Sequence, residues 1–123
     1  MKLTPHYSPR PILVVDDDPD ILDSLRDFLE VEGFVVAIAA NGLQALEWLR
    51  QTPAPSLVLL DMRMPQMDGW AFLESLRQNP ALATIPVAAF TADMSARVDG
   101  VVATLRKPFD VEDVLRLLRQ YSA

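Results

Sequence analysis

Four short apolar runs of the sequence each end in side chains that could take part in phosphoryl transfer. The first run ends in the acidic pair Asp16 and Asp17, and a later run ends in Asp61. The last two runs end in Thr91 and Lys107. Ligands bind at the carboxyl ends of the strands in an open parallel sheet. We therefore expect the three carboxylates, the hydroxyl and the ammonium to share one cleft.

The three acids favour a hard divalent cation. Carboxylates that share a cleft repel one another, which raises one or more of their pKa values unless a cation neutralises them. Oxygen ligands favour Mg²⁺ or Mn²⁺ over zinc, and the chain has no cysteine and a single histidine. The sequence therefore predicts a magnesium site, with Mn²⁺ as a possible substitute, at Asp16, Asp17 and Asp61.

Asp61 is the predicted nucleophile. A carboxylate can attack a phosphoryl group and form an acyl phosphate, and Asp61 stands alone at its strand end, whereas the neighbouring acids are suited to a metal. The charge in transfer spreads over three equatorial oxygens. We expect the metal to contact one oxygen, the Lys107 ammonium a second, and the Thr91 hydroxyl with nearby backbone N–H groups a third.

Strand-like runs alternate with helix-like patterns five times along the chain. The predicted strands are Ile12–Val15, Phe34–Ala39, Leu57–Leu60, Pro86–Phe90 and Val101–Leu105. Strands that are apolar on both faces indicate a parallel sheet covered by helices on both sides. We predict a three-layer, doubly wound α/β domain with the 2-1-3-4-5 strand order of known flavodoxin-like folds, which makes the first and third strands neighbours.

Turn and cap residues place the helices between these strands. Asp18 before Pro19 is predicted to cap the first helix, and Gly33 to end it. Asn41-Gly42 is predicted to end the second strand, and Asp68-Gly69 to begin the third helix. The second helix is predicted from Leu43, Leu46 and Leu49. Apolar residues at helical spacing predict the last helix: Val111, Val114, Leu115 and Leu118.

Composition narrows the class of protein. The 123 residues are half hydrophobic and carry a net charge of −6, which predicts one acidic globular domain that does not bind nucleic acid directly. No apolar stretch is long enough to insert in a membrane, and residues 1–10 do not read as a secretory signal. We expect an N-terminal extension at 1–10, one domain at 11–121, no output domain and a cytoplasmic location.

Residues 11–121 resemble the receiver domain of bacterial two-component response regulators, a chemotaxis-type phosphoacceptor. Four segments carry the resemblance: 12–20 (ILVVDDDPD), 57–69 (LVLLDMRMPQMDG), 86–92 (PVAAFTA) and 106–110 (RKPFD). The resemblance implies a single-domain response regulator in phosphorelay signal transduction. A sensor histidine kinase or a histidine phosphotransfer protein would phosphorylate it, and a protein target not specified by the sequence would respond. It would be no enzyme beyond catalysing its own phosphorylation and dephosphorylation.

The resemblance also assigns roles to individual residues. It implies a metal site formed by Asp16 or Asp17, Asp61 and the main-chain carbonyl of Arg63. It implies phosphate contacts from Met62, Thr91, Ala92 and Lys107. The Lys107-Pro108 bond is expected to be cis, and Thr91 is expected to move toward the phosphoryl group when Asp61 is modified.

Two departures from the family pattern stand out. Thr104 lies where receivers usually carry an aromatic residue. Only 16 positions separate Thr91 from Lys107, about six fewer than usual, which is about one and a half turns of helix. We predict a short or missing fourth helix between Ala92 and Gly100, and an output through another face.

Arg63 and Asp93 each lie two residues after a site residue, at the expected entrance to the phosphoryl group. Their opposite charges predict an ion pair that limits attack by water. The alternative is that both side chains are solvated and contribute little.

Two other functions are compatible with parts of the sequence. A phosphorylation-independent interaction domain would bind its partner equally well after Asp61→Asn. A haloacid-dehalogenase-type phosphatase would use Asp16 and Asp18, but Asp20 stands where that family has Thr or Val, and no acidic Gly-Asp motif follows Lys107. Turnover of a general phosphate ester would support the phosphatase.

Overall fold

A five-stranded parallel sheet lies between two layers of helices in the computed structural model, which describes residues 10–93 and 98–121. The strand order is β2-β1-β3-β4-β5, which confirms the predicted order. The strands are β1 (Ile12–Val15), β2 (Val36–Ala39), β3 (Leu57–Asp61), β4 (Val87–Thr91) and β5 (Ala103–Arg106). All four neighbouring pairs are parallel.

The helices begin where the sequence predicts. They are α1 (Pro19–Val31), α2 (Gly42–Gln51), α3 (Gly69–Gln78) and α4 (Val111–Tyr121). The side chains of Asp18, Asn41 and Asp68 each accept a hydrogen bond from a backbone N–H in the first turn of α1, α2 and α3. These caps satisfy donors that a helix leaves unpaired at its N-terminus.

Two predicted strand boundaries are wrong by two residues. β2 begins at Val36 rather than Phe34, because the Phe34 N–H donates to the carbonyl of Leu29 and still belongs to the end of α1. Gly33 allows this turn, with a φ of 99° in the left-handed region. β5 begins at Ala103 rather than Val101, and the half-buried Val101 packs against the core on the α2–α3 side.

The core has two halves, one on each face of the sheet. Leu57 and Leu59 of β3 pack with apolar residues of α1 and α4. Val58 and Leu60 of the same strand pack with α2 and α3. All four side chains are fully buried, so the continuous apolar run of β3 reflects cover on both faces.

The connection from β4 to β5 contains residues 94–97. The predicted short or missing fourth helix falls on this segment and lies outside the described residues. The described end of the connection is held against α3: Val98 and Val101 pack on the α2–α3 side, and the Arg77 guanidinium donates to the carbonyl of Asp99. The fourth helix in chain order, α4, is the one that the sequence predicts as the last.

Membrane insertion was predicted not to occur. Among the described residues, none of the helices is long and apolar enough to cross a bilayer. Residues 1–9 of the predicted N-terminal extension are outside the described part of the chain.

Candidate functional site

The sheet register brings the predicted acids to one edge. Val15 of β1 pairs with Leu60 of β3, so Asp16 and Asp61 follow at the same level on neighbouring strands. One carboxylate oxygen from each of Asp16, Asp17 and Asp61 lies within 4.8 Å of the others. Asp16 and Asp61 are buried, whereas Asp17 is exposed. The three predicted metal ligands therefore lie together at the carboxyl end of the sheet.

Lys107 links the two buried acids. Its Nζ lies 2.8 Å from Asp16 Oδ2 and 3.4 Å from Asp61 Oδ2. Burial alone lowers the pKa of Lys107, but the hydrogen bond and charge of Asp16, together with Asp61, outweigh it and raise the pKa. Lys107 is therefore an ammonium that partly neutralises the carboxylates. The Lys107-Pro108 bond is cis, as predicted.

Asp61 is held in a weakly solvated position. Its burial raises the pKa from 3.8 to about 6; the Arg63 N–H hydrogen bond lowers it, the Asp16 charge raises it, and Lys107 lowers it. Asp61 is 5% exposed. A carboxylate in this position is ionised at neutral pH yet is less well solvated than in water, which favours reaction or binding of a cation.

The backbone after β3 supplies a donor that the sequence prediction missed. The Arg63 N–H lies 3.2 Å from Asp61 Oδ1. The Met62 N–H instead donates to the carbonyl of Phe90 at 3.0 Å, which extends the β3–β4 ladder by one residue. The phosphate contact of Met62 stays a prediction; in this structure the Met62 N–H is bonded within the sheet, and the N–H directed to Asp61 is that of Arg63.

Thr91 is buried at the end of β4, beside β3 and β5. Its hydroxyl donates to the carbonyl of Asp93 at 3.2 Å and accepts from the N–H of Asp93 at 3.1 Å. The Thr91 carbonyl accepts from the Lys107 N–H at 2.8 Å, which fixes the start of the Lys107-Pro108 segment. Ala92 follows on the exposed side of the site. In this structure, therefore, the Thr91 hydroxyl is bonded to its own turn.

The predicted ion pair between Arg63 and Asp93 is not found among the residues that the structure describes. The Arg63 side chain is exposed.

Gly69 is a second feature that the sequence prediction did not assign to the site. Its N–H donates to the carbonyl of Met62, and a Cβ at position 69 would lie 2.7 Å from Met62 Cα. Only glycine allows α3 to approach the residue after Asp61 this closely. The Asp68-Gly69 pair predicted the start of α3, but the close approach depends on the fold.

The comparison with known families decides the class of domain. Residues 12–119 match the response regulator receiver domain. The chain belongs to this family. Receiver domains act in two-component phosphorelay signalling and are generally not enzymes, and the three-acid cluster of this receiver is compatible with the Mg²⁺ that such domains bind through acidic residues.

Known relatives share the receiver along most of this chain. An uncharacterized 14.6 kDa protein from Leptolyngbya boryana is 42% identical, over 89% of this chain and 88% of its own. Response regulator Rre1 from Synechocystis is 37% identical, and the match covers 94% of this chain but only 52% of Rre1. The chain thus spans about half the length of Rre1.

A solved relative shows the same fold. Response regulator TrrA from Thermotoga maritima, crystallised with Mg²⁺ and BeF, superposes with a TM-score of 0.79 and is 27% identical. The superposition covers 91% of this chain and 98% of TrrA.

Proposed function

We propose that this receiver accepts a phosphoryl group on Asp61 from the phosphohistidine of a sensor kinase or histidine phosphotransfer protein. The modified domain then signals to a protein target in the cytoplasm. The observation that carries the proposal is the setting of Asp61. It is a buried carboxylate with a raised pKa, 3.4 Å from the Lys107 ammonium and clustered with two further acids.

The donor set fits Mg²⁺ or Mn²⁺. Carboxylate oxygens of Asp16, Asp17 and Asp61 lie within 4.8 Å of one another, and the carbonyl of Arg63 is the fourth proposed ligand. Three carboxylates outnumber the single ammonium of Lys107, so the cleft attracts a further cation. When bound, the ion supplies positive charge beside one phosphoryl oxygen.

The protein side chains account for the transfer step. An Asp61 oxygen attacks phosphorus while the phosphorus–nitrogen bond of the donor breaks, and the imidazole keeps the bonding electrons and takes a proton from solvent. Lys107 stabilises the charge on the phosphoryl oxygens. The N–H groups of Arg63 and Ala92 are the proposed backbone donors. The Thr91 hydroxyl joins them only after leaving Asp93, which links transfer to a rearrangement at the end of β4.

Intact mass spectrometry tests the proposal. Wild type and Asp61→Asn are incubated with acetyl phosphate, with Mg²⁺ or with a chelator. We expect wild type to gain one phosphoryl group when Mg²⁺ is present and none with the chelator. Asp61→Asn should gain none in either condition. If wild type gains nothing under any condition, the proposed chemistry is wrong and the chain is a phosphorylation-independent interaction domain.

A further inference from the structure

The loop between β3 and α3 carries three of the five methionines of the chain, and it follows the proposed phosphoacceptor Asp61 directly. Met62 is fully buried, whereas Met64 and Met67 are half-buried. A thioether that an oxidant can reach is converted to a sulfoxide, which turns an apolar side chain into a polar one. The two half-buried methionines are therefore the candidates for oxidation beside the site.

Met67 packs against the first turn of α2. A Cβ built at Gly42 would lie 2.9 Å from both Cγ and Sδ of Met67, so the thioether fills the space that the glycine leaves open. Met67 also packs on the half of the core that faces α2 and α3. An oxygen bonded to this sulfur needs space of its own, so an oxidised side chain cannot keep the same packing.

The backbone before Met67 forms a tight turn. The Met67 N–H donates to the carbonyl of Pro65 at 2.7 Å, and Gln66 between them has a φ of 70°. A turn of this type is rare and strained for a residue other than glycine. Such a turn persists only where surrounding contacts hold it, and the packing of Met67 on Gly42 is one of these contacts.

The same loop is bonded to the site near both of its ends. The Arg63 N–H donates to Asp61 Oδ1 at 3.2 Å, and the Gly69 N–H donates to the carbonyl of Met62 at 3.1 Å. The carbonyl of Arg63 is also the fourth proposed metal ligand. A displacement of Met67 therefore changes the orientation of the Arg63 backbone that faces Asp61.

The first turn of α2 offers hydrogen-bond donors to an oxidised side chain. The Asn41 side chain accepts from the Gln44 N–H. The N–H groups of Gly42 and Leu43 have no acceptor in the part of the chain that the structure describes. A thioether accepts hydrogen bonds weakly, whereas a sulfoxide oxygen is polar. Oxidised Met67 therefore has a second arrangement available, in which its oxygen bonds to α2 and its apolar packing is lost.

We propose that Met67 is a site of oxidation by hydrogen peroxide, and that its sulfoxide reorients the β3–α3 loop and slows phosphorylation of Asp61. A lone pair of the sulfur attacks one peroxide oxygen as the oxygen–oxygen bond breaks. The sulfur loses two electrons and keeps that oxygen, while the other oxygen leaves as hydroxide and takes up the remaining proton to become water. The effect on phosphorylation rests on the proposed function, whereas the oxidation itself does not.

Peptide mass spectrometry after a limiting dose of hydrogen peroxide locates the added oxygen in the folded full chain. We expect it at Met67 before the buried Met62, because oxidation follows exposure. Phosphorylation by acetyl phosphate in Mg²⁺ is then timed. The oxidised protein should react about tenfold more slowly, because a small displacement near the reacting group is costly.

Two matched variants assign the effect to one sulfur. Met67→Leu and Met64→Leu each remove one half-buried thioether and keep the side chain apolar and similar in size. We expect Met67→Leu to be phosphorylated at the same rate before and after peroxide, and Met64→Leu to become slower as wild type does. Met67→Gln, which places a polar group at the same position, should be slow without peroxide.

Amide NMR distinguishes a reoriented loop from a loss of the fold. The backbone signal of Arg63 should shift on oxidation, whereas that of Val14, which is buried in the central part of the sheet, should not. Shifts throughout the chain would show general unfolding and would overturn the local reorientation.

The remaining outcomes decide separate parts of the proposal. Oxidation of Met62 as fast as that of Met67, or protection by Met64→Leu instead of Met67→Leu, would overturn the assignment of Met67. An unchanged rate in the protein oxidised at Met67 would overturn the effect on phosphorylation. If unoxidised wild type is not phosphorylated at all, the proposed function and this effect fall together, and the peptide map still decides whether Met67 is oxidised.

Discussion

Asp61→Asn should stabilise the metal-free protein. Burial raises the pKa of Asp61 from 3.8 to about 6, and a shift of about 2 units corresponds to about 3 kcal/mol against the ionised form. Asparagine has the same shape, can accept from the Arg63 N–H, and leaves Lys107 its contact with Asp16. Allowing for the lost Lys107–Asp61 contact and for solvent in the cleft, we expect a net gain of about 1–2 kcal/mol at pH 7.5.

The sign of the pH dependence follows from the raised pKa of Asp61. Between about pH 4 and pH 6 the native wild type holds more protons at Asp61 than the unfolded chain does. Wild-type stability from this group therefore falls as pH rises through that window and stays low above it. Asparagine does not titrate in this range. The stability advantage of Asp61→Asn over wild type should therefore be full above pH 6 and should disappear toward pH 4.

Thermal unfolding followed by circular dichroism, with a chelator present, measures this advantage. A gain of 1–2 kcal/mol corresponds to about 4–8 °C for a domain of this size. Asp17→Asn is the control, because Asp17 is exposed and should change stability by at most about 0.5 kcal/mol. The reasoning is refuted if Asp61→Asn is no more stable than wild type at pH 7.5, or if its advantage persists unchanged at pH 4.

Three further substitutions test neighbouring parts of the site. Lys107→Ala should leave Asp16 buried without a cation, which should cost about 2 kcal/mol in urea unfolding and slow phosphorylation by acetyl phosphate; unchanged stability would contradict this. Gly69→Ala should force Met62 away from α3 and cost about 1–3 kcal/mol, whereas Ala71→Ser on the exposed side of α3 should be nearly neutral. Arg63→Ala should leave the lifetime of the acyl phosphate, measured by phosphate release, nearly unchanged, because the Arg63 side chain is exposed and solvated charges contribute little; a clearly shorter lifetime would show that this side chain limits attack by water.

The fold could be predicted from the sequence because several short-range patterns indicate the same architecture. The apolar run of β3, the cap at Asp18 and the alternation of strands and helices are all short-range patterns, and the register then brings Asp16 to Asp61. The start of β2 was missed because Phe34 is apolar in either assignment, and only its hydrogen bond to Leu29 shows that it ends α1.

Finer parts of the site depend on three-dimensional geometry. The turn after β3 determines which backbone N–H is directed to Asp61. The Met62 N–H continues the sheet, whereas the Arg63 N–H donates to Asp61. The contact of Phe90 with Phe109 joins residues of different segments. Neither feature has a sequence spacing of its own, so neither could be predicted before the structure.

The most direct test of the central claim is to identify the modified residue. After incubation with acetyl phosphate and Mg²⁺, borohydride reduces an aspartyl phosphate to homoserine with loss of the phosphate, and peptide mass spectrometry locates the product. We predict homoserine at position 61 and at neither Asp16 nor Asp17. Homoserine at either of those positions, or a phosphorylated protein that yields no homoserine, would contradict the assignment of Asp61 as the phosphoacceptor.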